Sequence, residues 1–340
     1  MSIDLPAPNE CTDQVGREDV EIALRSAMAE GALSHGWIIA GPRGSGKATL
    51  AYRIARGMLD PRALMNDQTF EMQPAGRTFR LVAQSAHPDL FIAERAWNEK
   101  TSRYQTEITV ETIRKLTLFL SRTAALGGYR VAIIDTADDL NRNAANALLK
   151  ALEEPPANTL LLLMSEAPGR LIATIRSRCR RIDLRPLSDQ AVAALLARED
   201  LAHGEEAARI AAHAGGRPGY AMTLAAGEGA EAIKLAQGFI AAARKGDEVS
   251  RIAGSLSGKA ADAKWEIFRE ALMQNLSDAA RAGAGGTELE GPLAGAAPAA
   301  ILSAWEQLTN LAGRGEALNL DRGQLINAMA YDLRAALAAS

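Results

Sequence analysis

The chain has 340 residues, 48% hydrophobic and 23% charged, which excludes a disordered or fibrous polymer and leaves room for two or three domains. Aromatic residues make up only 4%, which argues against an all-β fold and against a surface that grips single strands chiefly by base stacking. With 38 Lys+Arg against 41 Asp+Glu, the net charge is −3, unlike a chain built to wrap phosphates unaided. Two cysteines, Cys11 and Cys179, cannot make a disulfide scaffold or a four-cysteine zinc site. His35, His87, His203 and His213 show no metal-ligand spacing. The N-terminal stretch lacks a basic n-region and an apolar core, and the apolar run Leu160 to Met164 is far too short to cross a bilayer. A cytoplasmic chain with no membrane association is expected.

In chain order, Gly36 to Ala40 reads as a buried strand, followed by a glycine turn and a helix over Gly46 to Met58. Leu90 to Ala93 is a second strand. Val110 to Ala125 carries Ile113, Leu116, Phe119 and Leu120 at helical spacing. Tyr129 to Asp135 is a strand ending in an acid, and Asn141 to Glu154 a helix stopped by Pro155-Pro156. Thr159 to Ser165 and Arg181 to Leu184 complete the strands, and no strand signal follows residue 187. From Ser188 the pattern is helical, broken at Gly215 to Gly219 and again over Ala282 to Ala300, a Gly/Ala-rich stretch that reads as a long flexible connection. The predicted organisation is an α/β domain with a parallel sheet flanked by helices over 1–187, a small helical domain over 188–225, and a larger all-α domain over 226–340.

Gly41-Pro42-Arg43-Gly44-Ser45-Gly46-Lys47 fits G-x-x-x-x-G-K between a strand and a helix, the context of a phosphate-binding P-loop. Glycines let the backbone fold round an anion, the N–H groups and helix terminus point at it, and Lys47 adds a positive charge. The next position, where Mg²⁺ takes a Ser or Thr hydroxyl, is Ala48, and a methyl group cannot ligate a cation that demands oxygen. Thr49 lies one residue on, turned by about 100° round the helix. Asp135 stands where a magnesium-orienting acid belongs, but it is followed by Thr136, a poor general base, in place of a glutamate. Hydrolysis in this site is therefore not expected. Nucleotide binding stays open.

Arg170, Arg176, Arg178, Arg180, Arg181 and Arg185 crowd the segment just after the Thr159 to Ser165 strand. They fit a solvated face, a phosphate track for DNA, or a finger lent to a neighbour's nucleotide. Here Thr174-Ile175-Arg176-Ser177-Arg178-Cys179 resembles the T-I-x-S-R-C motif of AAA+ clamp-loader subunits. His87-Pro88-Asp89-Leu90, Val131 to Asp135, Asn141 to Pro156 and Ala167 to Leu171 agree with it. In combination they resemble the delta-prime subunits of the bacterial DNA polymerase III clamp loader, over residues 35 to 187.

That resemblance implies an AAA+ P-loop domain, a helical lid and a C-terminal collar for oligomerisation. It implies a non-hydrolysing stator in a hetero-pentameric ring with gamma/tau-type ATPase subunits and a delta subunit. Such a ring loads the sliding clamp on primed DNA, within a DNA-directed DNA polymerase complex whose catalysis lies in other subunits. Arg178 would be the trans arginine finger and Ser165 the sensor residue. Gly41, Gly44, Ser45, Gly46, Lys47, Ala48, Thr49 and Asp135 would form the degenerate nucleotide site. No cofactor is required for this role, although ATP or ADP in the loop stays compatible with it. Many relatives carry a four-cysteine zinc module that this chain lacks between Gly57 and His87, so no zinc is expected. The rivals are a competent ATPase motor, with Thr49 and Asp138 supplying the missing groups, and a direct DNA-binding protein acting through the arginine cluster.

Overall fold

A computed structural model describes residues 5–98, 103–227, 229–258, 261–317 and 320–338. It divides into two compact units, Asp4–Met222 and Thr223–Ser340.

In the first unit, five runs pair into one parallel sheet: β1 (Gly36–Ala40), β2 (Leu90–Ala93), β5 (Arg130–Ile134), β6 (Thr159–Ser165) and β7 (Arg180–Asp183). Their order is β2-β5-β6-β1-β7, so each pairing is between strands joined by a crossover. The register sets Gly36 beside Leu161, Ala40 beside Ser165 and Trp37 beside Arg180. Unbroken apolar runs are what this topology requires, because a parallel sheet is covered on both faces. The alternation sorts the side chains. Trp37, Ile39, Leu160, Leu162 and Met164 enter one core with Leu24 of α1 (Glu18–Ala29) and Leu50, Ile54 and Met58 of α2 (Lys47–Leu59). Ile38, Ala40, Leu161 and Leu163 enter the other, with Ile113 and Leu116 of α4 (Val110–Leu120) and Ala144 and Leu148 of α5 (Arg142–Glu153). The expected parallel α/β P-loop domain is the fold.

Several boundaries move for identifiable reasons. Helix α4 stops at Leu120 rather than Ala125, because the fully buried carboxylate of Asp89 accepts from the N–H of Ala125 (2.7 Å) and of Leu126 (2.9 Å) and turns the chain. Arg130 reaches the same carboxylate at 3.3 Å. Strand β7 begins one residue early, at Arg180. A hairpin of β3 (Trp97–Asn98) and β4 (Arg103–Tyr104) was not foreseen, and its rings of Trp97 and Tyr104 meet edge-to-face at 5.0 Å. Helices α1 and α3 (Arg77–Ala83) are further additions. Asn141 caps α5 as expected, its side chain accepting from the Ala144 N–H at 2.9 Å. Helices α7 (Asp189–Arg198) and α8 (Gly204–Ala214) and the start of α9 (Pro218–Ala225) close this unit.

The second unit is helical: α10 (Gly229–Lys245), α11 (Val249–Ser255), α12 (Asp262–Ala284), α13 (Pro298–Ala317) and α14 (Arg322–Ala338). Helix α10 packs on α12, α12 on α13, and α13 on α14. Phe268 anchors the core, meeting Phe239 edge-to-face at 5.4 Å and stacking on Trp265 at 5.8 Å. The Gly/Ala-rich stretch is not the long flexible connection it resembles in sequence. Helix α12 absorbs its first residues and α13 its last. Leu293 between them is buried, and Arg244 donates to the carbonyls of Pro292 (2.6 Å) and Ala294 (3.3 Å). Among the described residues no helix is long and apolar enough to cross a membrane.

Candidate functional site

The sheet's C-terminal edge gathers three of the expected positions. β1 runs straight into the glycine loop, whose Gly41 N–H donates to the carbonyl of Ser165 at 3.1 Å. Gly44 and Gly46 have φ of 79° and 92°, left-handed values that side chains resist, so these two positions require glycine. At Gly44 a Cβ would also sit 2.6 Å from the backbone nitrogen of Tyr220, whose neighbour Gly219 donates its N–H to the Gly44 carbonyl at 2.8 Å. The loop is thus clasped by the start of α9, which the sequence did not reveal.

Inside the loop, Lys47 is 8% exposed and donates to the carbonyls of Gly41 (2.7 Å) and Pro42 (3.0 Å). Its ammonium also lies 3.7 Å from the carboxylate of Glu166. Burial pulls its pKa below the ordinary lysine value, and the charges of Glu166, Asp135 and Asp138 oppose that shift. Ser45 is 2% exposed, and its hydroxyl, next to Gly41, has no hydrogen-bond partner among the described residues. A buried donor left unmet is costly, so the loop keeps the character of a cradle for a polar atom. Arg17, also buried, donates to the Ser45 carbonyl at 3.4 Å.

The groups around magnesium's place fit less well. Ala48 has no hydroxyl to offer. Thr49 lines a cavity of about 310 Å³ with Cys11, Thr12, Gln14, Gly46, Leu195 and Met222. Asp135 follows β5, and the hydroxyl of Thr136 donates to its carboxylate at 3.2 Å. Asp138 is committed as well: it accepts from Ser165 Oγ (2.9 Å) and from the N–H groups of Glu166 (2.7 Å) and Ala167 (3.1 Å). The residues therefore suit a phosphate more than they suit a hydrated magnesium ion.

The wall beside Thr49 is held by the far half of α2. Arg53 forms a buried pair with Glu21 (Nε to Oε1 2.5 Å) and donates to the Thr12 carbonyl. Arg56 donates to the carbonyls of Asn9 (3.0 Å) and Cys11 (2.7 Å), stacks 4.4 Å from the Phe79 ring, and is pushed by burial to a pKa of about 10. Arg56 keeps its charge at neutral pH.

Arg178 lies at the other end of the sheet. It follows the short α6 (Ala173–Arg176) and precedes β7, beside Gly36 at the start of β1. Five residues of parallel strand, about 16 Å, separate Gly36 from Gly41, so Arg178 stands away from its own loop. Its guanidinium donates to the Thr174 carbonyl (3.0 Å) and pairs with Glu153 of α5 at 2.8 Å. Among its neighbours, Arg176 donates to the Gly169 carbonyl, Arg181 pairs with Asp183, and Arg180 lies 6.0 Å from the Trp37 ring centre. Arg217 donates to the Ala214 carbonyl and stacks 4.2 Å from the Tyr220 ring, next to the loop's clasp.

A family model described as "DNA polymerase III, delta subunit" matches residues 16–188. A DNA polymerase III subunit delta' of Escherichia coli is 31% identical over 76% of this chain and 75% of its own length. The chain belongs to the delta-prime family of DNA polymerase III subunits. A delta-prime relative in Pseudomonas aeruginosa is 40% identical over 43% of this chain, a stretch that spans only 42% of that relative's length. A subunit tau of E. coli is 31% identical over 61% of this chain and 31% of its own length. The match to the family model, residues 16–188, covers the sheet, the loop and the arginine segment. Of the residues expected from the sequence, Gly41 to Lys47, Asp135 and Ser165 meet at this edge, and Arg178 lies apart from it. Glu166, Gln14, Arg17 and Gly219 join them through chain crossings that no local spacing reports.

Proposed function

We propose that this chain is the stator of a clamp-loader ring, a subunit that hydrolyses no ATP itself and lends Arg178 to the nucleotide of a gamma/tau-type neighbour. A delta-type subunit would complete the hetero-pentamer, which would load the sliding clamp on primed DNA in the cytoplasm. The observation that carries this reading is the position of Arg178. A basic side chain about 16 Å along the sheet from its own P-loop serves no nucleotide held there, and it is 35% exposed at an edge that a neighbour can approach. A guanidinium delivered in trans to a phosphoryl group in transfer is worth about 10³ to 10⁵ in rate.

The motor reading is disfavoured because one of its substitutes, Asp138, is committed to three donors around Ser165, and the other, Thr49, lines the cavity beside Cys11. The direct DNA reading is disfavoured because the net charge is −3, and Arg176 and Arg181 already hold partners within the chain. Mg-ATP turnover by the purified chain, with and without gamma/tau-type and delta-type subunits, tests the stator role. The chain alone should hydrolyse no faster than its Lys47→Ala variant, and adding it should raise turnover by the others. Lysine-dependent turnover in the chain alone would return it to the motor class.

A further inference from the structure

The loop poses a question that the stator role does not answer. Its glycines, its lysine and its helix are intact, so a polyphosphate has a cradle, and the unmet hydroxyl of Ser45 adds a donor inside it. Two of the three donors of Lys47 are taken by the carbonyls of Gly41 and Pro42. Along the remaining approach stands Glu166, at 3.7 Å. Its own backbone N–H is tied to Asp138 at 2.7 Å, directly after Ser165 at the end of β6, so the residue is fixed at the mouth of the loop.

We propose that Glu166 is an internal counter-ion that gates the P-loop: it takes the electrostatic place of a phosphate against Lys47 and competes with polyphosphate ligands for the loop. A carboxylate there acts twice, by satisfying the lysine and by repelling an incoming anion. In a loop with a magnesium-binding hydroxyl the cation would offset that repulsion. Ala48 removes the offset. The gate concerns the loop alone and stands or falls independently of what Arg178 does for a neighbour.

The test is calorimetric titration of the full chain with ADP and, separately, with inorganic tripolyphosphate at low salt. The variants are Glu166→Gln, Glu166→Ala and Glu166→Gln combined with Lys47→Ala. Glu166 is 46% exposed, and thermal unfolding without ligand checks that each variant remains folded. Both single variants should bind at least one ligand about two- to fivefold more tightly than the parent, the range expected for a half-exposed charge pair. The gain should shrink as salt rises and vanish when Lys47 is lost. Tripolyphosphate and ADP gaining equally would mark a pure polyphosphate site, whereas a larger gain for ADP would mean that the neighbouring cavity takes part; either supports the gate. Equal affinity of parent and variants overturns the proposal. So does the absence of saturable binding throughout, or a gain that survives Lys47→Ala.

Discussion

Glu21 serves three partners from one buried carboxylate: Arg53 Nε and Nη2, and the Phe70 N–H at 3.0 Å. Because Arg53 also holds the Thr12 carbonyl, the pair fixes the strip of chain that walls the cavity beside the loop. Removing one partner of such a pair strands the other charge away from water. Glu21→Gln should therefore cost about 3–5 kcal/mol of folding stability in chemical denaturation. A loss below about 1 kcal/mol would mean that the arginine finds other acceptors without penalty. Cys179 offers a pH-dependent counterpart. Burial pushes its thiol to about 11, so the fold keeps a proton that the unfolded chain releases nearer 8.5. Stability should fall as pH rises through that window. Alkylation mapped by mass spectrometry at pH 8 should be about a hundredfold slower at Cys179 than in a denatured control. Equal rates would contradict the assigned burial.

At the scale of elements, the P-loop and the short helix α9 form one construction. A Gly44→Ala variant would place a methyl group against the Tyr220 backbone and impose a left-handed φ on an alanine. We expect a loss of about 1–3 kcal/mol, with α9 protected less in hydrogen exchange. Unchanged exchange in α9 would show that the clasp contributes nothing. The same elements illustrate what a sequence can and cannot disclose. Strands such as Arg130–Ile134 and Thr159–Ser165 announce themselves because a parallel sheet covered on both faces demands uninterrupted Val, Ile and Leu. The loop announces itself because its glycines answer local backbone geometry. The β3–β4 hairpin does not, since two residues per strand show no alternation and the Trp97–Tyr104 contact is cross-strand. Nor does the end of α4, which is decided by Asp89, more than 30 residues earlier in the chain. Glu166 was beyond reach for the same reason: only the fold brings it to Lys47, more than 100 residues away.

Across the whole molecule, the proposed stator role would divide the work between subunits: a phosphate cradle without a magnesium-binding hydroxyl stands at one end of the sheet, and a partly exposed arginine at the other. On that reading the residue that would assist hydrolysis stands away from the chain's own cradle. Glu153 joins the two themes, because the carboxylate near the end of α5 is held by Arg178 rather than left to oppose its own helix dipole. The most direct measurement is single-turnover ATP hydrolysis in a reconstituted ring whose only competent nucleotide site adjoins this chain, comparing the parent with Arg178→Ala and with Arg176→Ala as the control. The account predicts that Arg178→Ala slows hydrolysis at that site by about 10³-fold or more while Arg176→Ala stays within severalfold of the parent. Unchanged hydrolysis with Arg178→Ala in an assembled ring would contradict it.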